Sequence, residues 1–205
     1  MSTSEVVAQM HAAVREPLTE LGFRTRRRGI LTTDLDEDVL GWVGLNTATK
    51  HHPDAVEVNP VVGVRHQAVE RLVAELRGER GHPYLPPTIS TPLGYVMPQP
   101  RYRAWLFTAD ATASVASDLA AAIRDHGVPF MASGRHLDAL AELARQGLGH
   151  FLEYRLPVVL LLLDRRDEAL EEIARSLDAL GDRSDAAAAE LRAFGAEFLR
   201  RYQLS

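Results

Sequence analysis

The chain contains no cysteine. Disulfides, thiol nucleophiles and thiolate metal sites are excluded together, and the composition fits a reducing compartment. Lysine is almost absent too: Lys50 is the only one, and every other basic side chain is arginine. Beside the abundant alanine, this reads as the codon bias of a high-GC bacterial genome. Long apolar runs are missing. The longest, Leu156 to Leu163, has eight residues and includes Pro157, well short of the roughly 20 a membrane-spanning helix needs. The opening MSTSEVVAQMHAAV has neither the basic leader nor the apolar core of an export signal, so a cytoplasmic protein without membrane contact is expected. A basic surplus is lacking as well. The net charge of −5 and predicted pI of 5.9 argue against non-specific phosphate binding as the main task. No G-x-S-x-G elbow, G-x-x-x-x-G-K-[ST] loop, G-x-G-x-x-G fingerprint or H-E-x-x-H helix occurs, which weakens four well-known catalytic routes.

What is present can build a substantial core: 205 residues, 46% of them hydrophobic. Ser4 is placed to cap a first helix with the stripe Val6, Val7, Met10 and Val14, which Pro17 ends or kinks. Three β-type runs follow, Gly22 to Leu35, Val39 to Lys50 and Ala55 to Arg65, with turns at Asp34 to Asp38 and at His51-His52-Pro53-Asp54. In the third, Val56, Val58, Val62 and Val64 recur at period two, and Pro60 points to an edge strand or a bulge. Val69, Leu72, Val73 and Leu76 then form a helical stripe expected to lie across the sheet, closed by Gly78.

From Gly81 to Pro100 six prolines break any long element, leaving a surface connection with a short strand near Leu93 to Met97. Arg101 to Thr108 reads as the last strand. Beyond Asp110 the pattern is helical: a helix to His126 stopped by Gly127 and Pro129, then helices over about Arg135 to Gln146, His150 to Leu163 and the stripe Leu170 to Leu180, and a terminal helix capped by Ser184. The pair from Phe151 to Leu180 resembles one helical hairpin of a tetratricopeptide array. Since no second copy is present, it is expected to pack within its own domain. The expected fold is α+β: an antiparallel sheet of four to five strands backed by the first two helices (residues 1–109), with a C-terminal helical bundle packed beside it (residues 110–205), together one folding unit.

The opening helix, Gly22-Phe23-Arg24-Thr25-Arg26-Arg27-Arg28-Gly29 entering paired strands, Ile123 to Phe130 breaking at Gly127, and the helical hairpin at Leu160 to Leu177 together resemble a bacterial family of uncharacterised domains. The resemblance implies this α+β fold and a bacterial accessory protein; it implies no catalytic residues and no substrate.

Three clusters can carry function. Arg24, Arg26 and Arg28 project from one face of the first strand and Arg27 from the other, with Arg65 and Arg103 on the same sheet; beside Trp42 or Trp105 they can hold an acidic partner, a phosphate or single-stranded nucleic acid. The same charges also protect an edge strand from aggregation, with Asp34 to Asp38 as counterweight. His51, His52 and Asp54, with His66, are the candidate metal ligands, although adjacent histidines on an extended chain point to opposite sides. Ser133-Gly134-Arg135-His136 is either an anion-binding helix start or an ordinary cap. Acidic pairs such as Glu171-Glu172 read as surface. The expected function is a non-catalytic interaction or regulatory module of a bacterial accessory system, immunity-type or stress-associated, that binds another protein through Arg24, Arg26, Arg28, Trp42, Arg103 and Trp105 without a cofactor. The alternatives are a metal- or His-dependent hydrolase using His51, His52, Asp54 and His66, and a nucleic-acid-binding protein.

Overall fold

A computed structural model describes residues 3–49, 54–147, 150–151 and 153–203. Helix α1 (Thr3–Glu20) runs on through Pro17 because its buried stripe, Val6, Met10, Val14 and Leu18, recurs every four residues across that position. Gly22, at φ 86°, ends it. The Gly22 N–H donates to the Thr19 carbonyl and the Phe23 N–H to the Leu18 carbonyl, the paired bonds of a glycine-terminated helix. Phe23 is thereby buried, and the chain leaves directly as a strand.

The first β-run is two strands, β1 (Arg24–Arg27) and β2 (Ile30–Asp36). Gly29, at φ 78°, turns the chain between them, and its carbonyl accepts from the Leu45 N–H at 2.7 Å. Next come β3 (Val39–Ala48), β4 (Ala55–His66) and α2 (Gln67–Leu76). The proline-rich stretch gives β5 (Ile89–Pro92) and a 3-10 turn at Leu93–Tyr95, a few residues earlier than its short strand was expected. After β6 (Trp105–Thr108) come α3 (Thr112–Ala122), a π-turn at Ile123–Gly127 and α4 (Val128–Ser133). The chain continues through α5 (Leu137–Arg145), β7 (His150–Phe151), α6 (Arg155–Leu162), α7 (Arg166–Ala179) and α8 (Ala186–Tyr202). The cap of α8 is Asp185, whose carboxylate accepts from the Ala188 N–H, not Ser184. The α+β class with an antiparallel sheet is as the sequence indicated.

The chain forms two compact units that interleave, Met1–Val64 with Ser90–Arg135 and Arg65–Ile89 with His136–Ser205; the sequence had suggested a cut near residue 110. In the first unit the strands run β1-β2-β3-β4-β5, with β6 antiparallel to Ala55–Val58 of β4. β4 is therefore interior; of the two readings of Pro60, an edge strand or a bulge, the edge is excluded. Pro60 lies just beyond Val58, the last residue paired to β6, so its missing N–H breaks no bond of that ladder. Val56, Val58, Val62 and Val64 are all fully buried. α1 packs on α3, β1 and β6, α3 on β6, and α4 on β3. Neither Gly127 nor Pro129 stops the α3–α4 helix. Gly127 is buried at a π-turn, where a Cβ would stand 3.0 Å from Val62 Cγ1, and Pro129 sits in the first turn after it, where an N–H has little to bond.

The second unit is helical. α2, whose buried residues include Val69, Val73 and Leu76, belongs to this unit and packs there on α6 and α8. α5, α6, α7 and α8 pack each on the next, and Asp164, at φ 59°, sits in the turn of the α6–α7 hairpin. Gly195 of α8 lies so close to Leu177 of α7 that a Cβ would stand 2.8 Å from it. Among the described residues no helix is long and apolar enough to cross a membrane.

On β3 the indole of Trp42 lies over Gly44, two residues on and on the same face. A methyl group at Gly44 would collide with the rigid ring, so Gly44→Ala is expected to cost about 1–3 kcal/mol, measured as a lower urea midpoint with unchanged slope.

Candidate functional site

In the first unit β1 ends the sheet, and all four of its residues are exposed. Its register with β2 pairs Arg24 with Thr32, Thr25 with Leu31 and Arg27 with Ile30, leaving Arg26 as a bulge. The bulge breaks the simple alternation expected of Arg24, Arg26 and Arg28. It turns Arg26 so that its Nε donates to Thr32 Oγ1 at 2.7 Å. Arg24 reaches Asp34 at 3.5 Å, with both side chains more than half exposed, so the pair is screened and weak. Asp36, another acid of the expected counterweight, is engaged by Arg135 at 2.8 Å. The exposed Asp34 does little to offset Arg24, Arg26, Arg27 and Arg28, and the edge is positive.

Beside this edge, where α1 flanks the Gly29 turn, a groove of about 450 Å³ opens. Val14, Leu31 and Leu45 give it an apolar floor, and Arg15, Arg28 and His11 line its rim. His11 packs over Gly29, which has no side chain to hold it off. Burial, and then the neighbouring Arg28 guanidinium, hold the His11 imidazole below its ordinary pKa. It is therefore neutral at pH 7 and sits in a positive field.

The remaining predicted site residues are placed differently. Trp42 shares a cross-strand row with Arg24 and Thr32, but it is 7% exposed and offers no stacking platform. Trp105 is 4% exposed; its indole N–H donates to Asp118 at 2.7 Å, and the Arg103 guanidinium lies 5.1 Å over its ring. Arg103 thus lies over the Trp105 ring and approaches Asp118 at 4.0 Å, with its side chain 43% exposed. Of the metal candidates, His51 and His52 lie outside the described residues. Asp54 is exposed on a turn of the first unit, and His66 is buried in the second, where its backbone N–H donates to Thr88. Among the described residues no three histidine or carboxylate side chains gather as a metal site. Ser133 starts no helix: it closes α4, its hydroxyl donating to the Phe130 carbonyl, and Arg135 is engaged by Asp36.

Sequence reading missed His11 and Arg15. They stand one helical turn apart on α1, which was visible, but only the fold shows that this turn runs beside Arg28. Arg65, near the end of β4 as the sequence indicated, is buried in the second unit with Glu70 and Arg155. No protein-family model, curated protein or solved structure matches the chain.

The lowered His11 pKa fixes the sign of a pH effect. Below the ordinary value of 6.5 the unfolded chain takes up a proton that the folded chain resists, so stability falls as pH drops through that window. His11→Gln is expected to lose less stability than the parent chain between about pH 7.5 and about pH 5.5, measured by urea unfolding; equal losses would contradict the assignment.

Proposed function

We propose that this chain is a non-catalytic binding module that takes an acidic segment of a partner protein at the β1 edge and the adjoining α1 groove. The observation that carries the reading is the exposed terminal strand with its three arginines, followed by Arg28, beside a groove with an apolar floor and a cationic rim. An extended peptide added to β1 gains main-chain hydrogen bonds from the edge, and its side chains alternate between the arginines and the groove. Carboxylates suit the guanidinium forks, and a single aliphatic side chain suits Val14, Leu31 and Leu45.

Nucleic acid is the weaker occupant. Phosphate binding would have to work against a net charge of −5, and neither tryptophan is free to stack on a base. A hydrolase built on the histidines finds no support in the described part of the chain. Edge charges also keep sheets from pairing with one another; the groove is the feature such a role leaves unused.

The test uses the full chain and a glutamate-rich peptide with one central leucine. Replacing Arg24, Arg26 and Arg28 together by alanine is expected to remove about 1–3 kcal/mol of binding, roughly 5- to 150-fold in Kd. The parent affinity is expected to fall with added salt, and that dependence to flatten in the variant. Unchanged affinity in the variant, or tighter binding of single-stranded oligonucleotide than of peptide, would remove the reading.

A further inference from the structure

We propose that the second unit holds a separate site for a small oxyanion, bearing a phosphate or carboxylate group, in the cavity between α2, the start of α6 and the His82–Pro86 segment. This inference is independent of the β1 edge and uses none of its residues.

The cavity measures about 490 Å³, within the range that small-molecule sites occupy. Its inner wall is built from charge. Arg65 and Arg155 are each 2% exposed and Glu70 is 5% exposed. Arg155 Nε stands 2.8 Å from Glu70 Oε1, and its Nη2 donates to Glu70 Oε2 at 3.1 Å. Arg65 approaches the same carboxylate less closely, Nη1 to Oε2 at 3.7 Å. Two buried guanidinium groups therefore share one buried carboxylate.

Backbone oxygens supply part of the balance. Arg65 donates to the Pro86 and His82 carbonyls and, through Nε, to Gln67 Oε1; Arg155 donates to the Thr88 carbonyl at 3.1 Å. These acceptors satisfy donors without neutralising charge. A guanidinium taken out of water without a full counter-charge is costly. Burial pulls Arg65 below its ordinary pKa, Glu70 opposes this, and Arg155 adds to it, yet an arginine remains charged at any physiological pH.

The rim adds to the imbalance. Arg77 is occupied, with Glu79 at 2.7 Å, Glu190 at 3.2 Å and the Tyr154 hydroxyl at 2.6 Å. Arg80 lines the mouth, is exposed, and has no carboxylate partner among the described residues. Around the cavity four guanidinium groups, Arg65, Arg77, Arg80 and Arg155, meet the lining carboxylates Glu70 and Glu79 and, through Arg77, Glu190. A small anion closes the remaining positive difference. Val73, Ala74 and Leu85 supply an apolar wall for its carbon skeleton.

The experiment is thermal unfolding and calorimetric titration of the full chain with sodium phosphate, with sodium succinate, and with sodium chloride at matched ionic strength. Phosphate or succinate is expected to bind saturably and raise Tm above the chloride control, and the stronger of the two identifies the ligand class. Arg80→Ala, an exposed change, is expected to weaken that anion about tenfold. Glu70→Gln, which removes the one buried carboxylate, is expected to lower the Tm of the free chain and enlarge the rise that the anion produces. The variant lacking Arg24, Arg26 and Arg28 is expected to keep the full response, which separates this site from the β1 edge. The proposal is overturned if neither anion exceeds chloride, if Arg80→Ala binds as tightly as the parent, if Glu70→Gln shows no larger anion response, or if the response disappears with the β1 arginines.

Discussion

The first unit depends on the sealing of one sheet face. Val56, Val58, Val62 and Val64 of β4 are removed from water completely, and each fully buried aliphatic side chain contributes about 1.5–3 kcal/mol. That face must be covered, and α1, α3 and α4 are the helices that pack on the strands of this unit. Once α1 is held there, its glycine terminus at Gly22 fixes where the chain emerges as β1. The position of the arginine strand at the end of the sheet, and of the groove beside it, follows from that packing.

The two units handle arginine in opposite ways. On β1 the guanidinium groups face solvent, and the contacts they make within the chain are screened, so their charge remains free to meet another molecule. Around Glu70 they are withdrawn from water, and backbone carbonyls satisfy donors that carboxylates do not reach. Because arginine keeps its charge in both settings, the first arrangement leaves that charge open to solvent and salt, and the second holds it inside a buried set.

Much of the architecture was legible in the residues because it rests on local periodicity. The valine alternation of β4, the stripes of α1 and α2, and the succession of C-terminal helices all carry their signal within a few turns of chain. What was not legible depends on distant partners. Pro60 reads as an edge residue until β6 is known to pair with Ala55–Val58 and to stop there. Gly127 and Pro129 read as a helix stop until a π-turn brings Gly127 against Val62. The stripe of α2 marks a buried face, but that α6 and α8 pack on this helix depends on residues far along the chain. The arginine run was visible in the sequence, but the burial of Trp42 was not, since it follows from Gly44, whose missing side chain lets the indole lie flat on the strand. His11 and Arg15 carried no signal of their own, since their relevance comes from the turn that α1 flanks.

The central claim is that the outer edge of β1 is a docking edge, and amide hydrogen exchange on the full chain tests it most directly. Adding a glutamate-rich peptide with a central leucine should slow exchange selectively at the amides of Arg24–Arg27 and along the His11–Arg15 turn of α1. Protection that appears only elsewhere in the chain, or no change at β1 while the peptide is bound, would contradict the account.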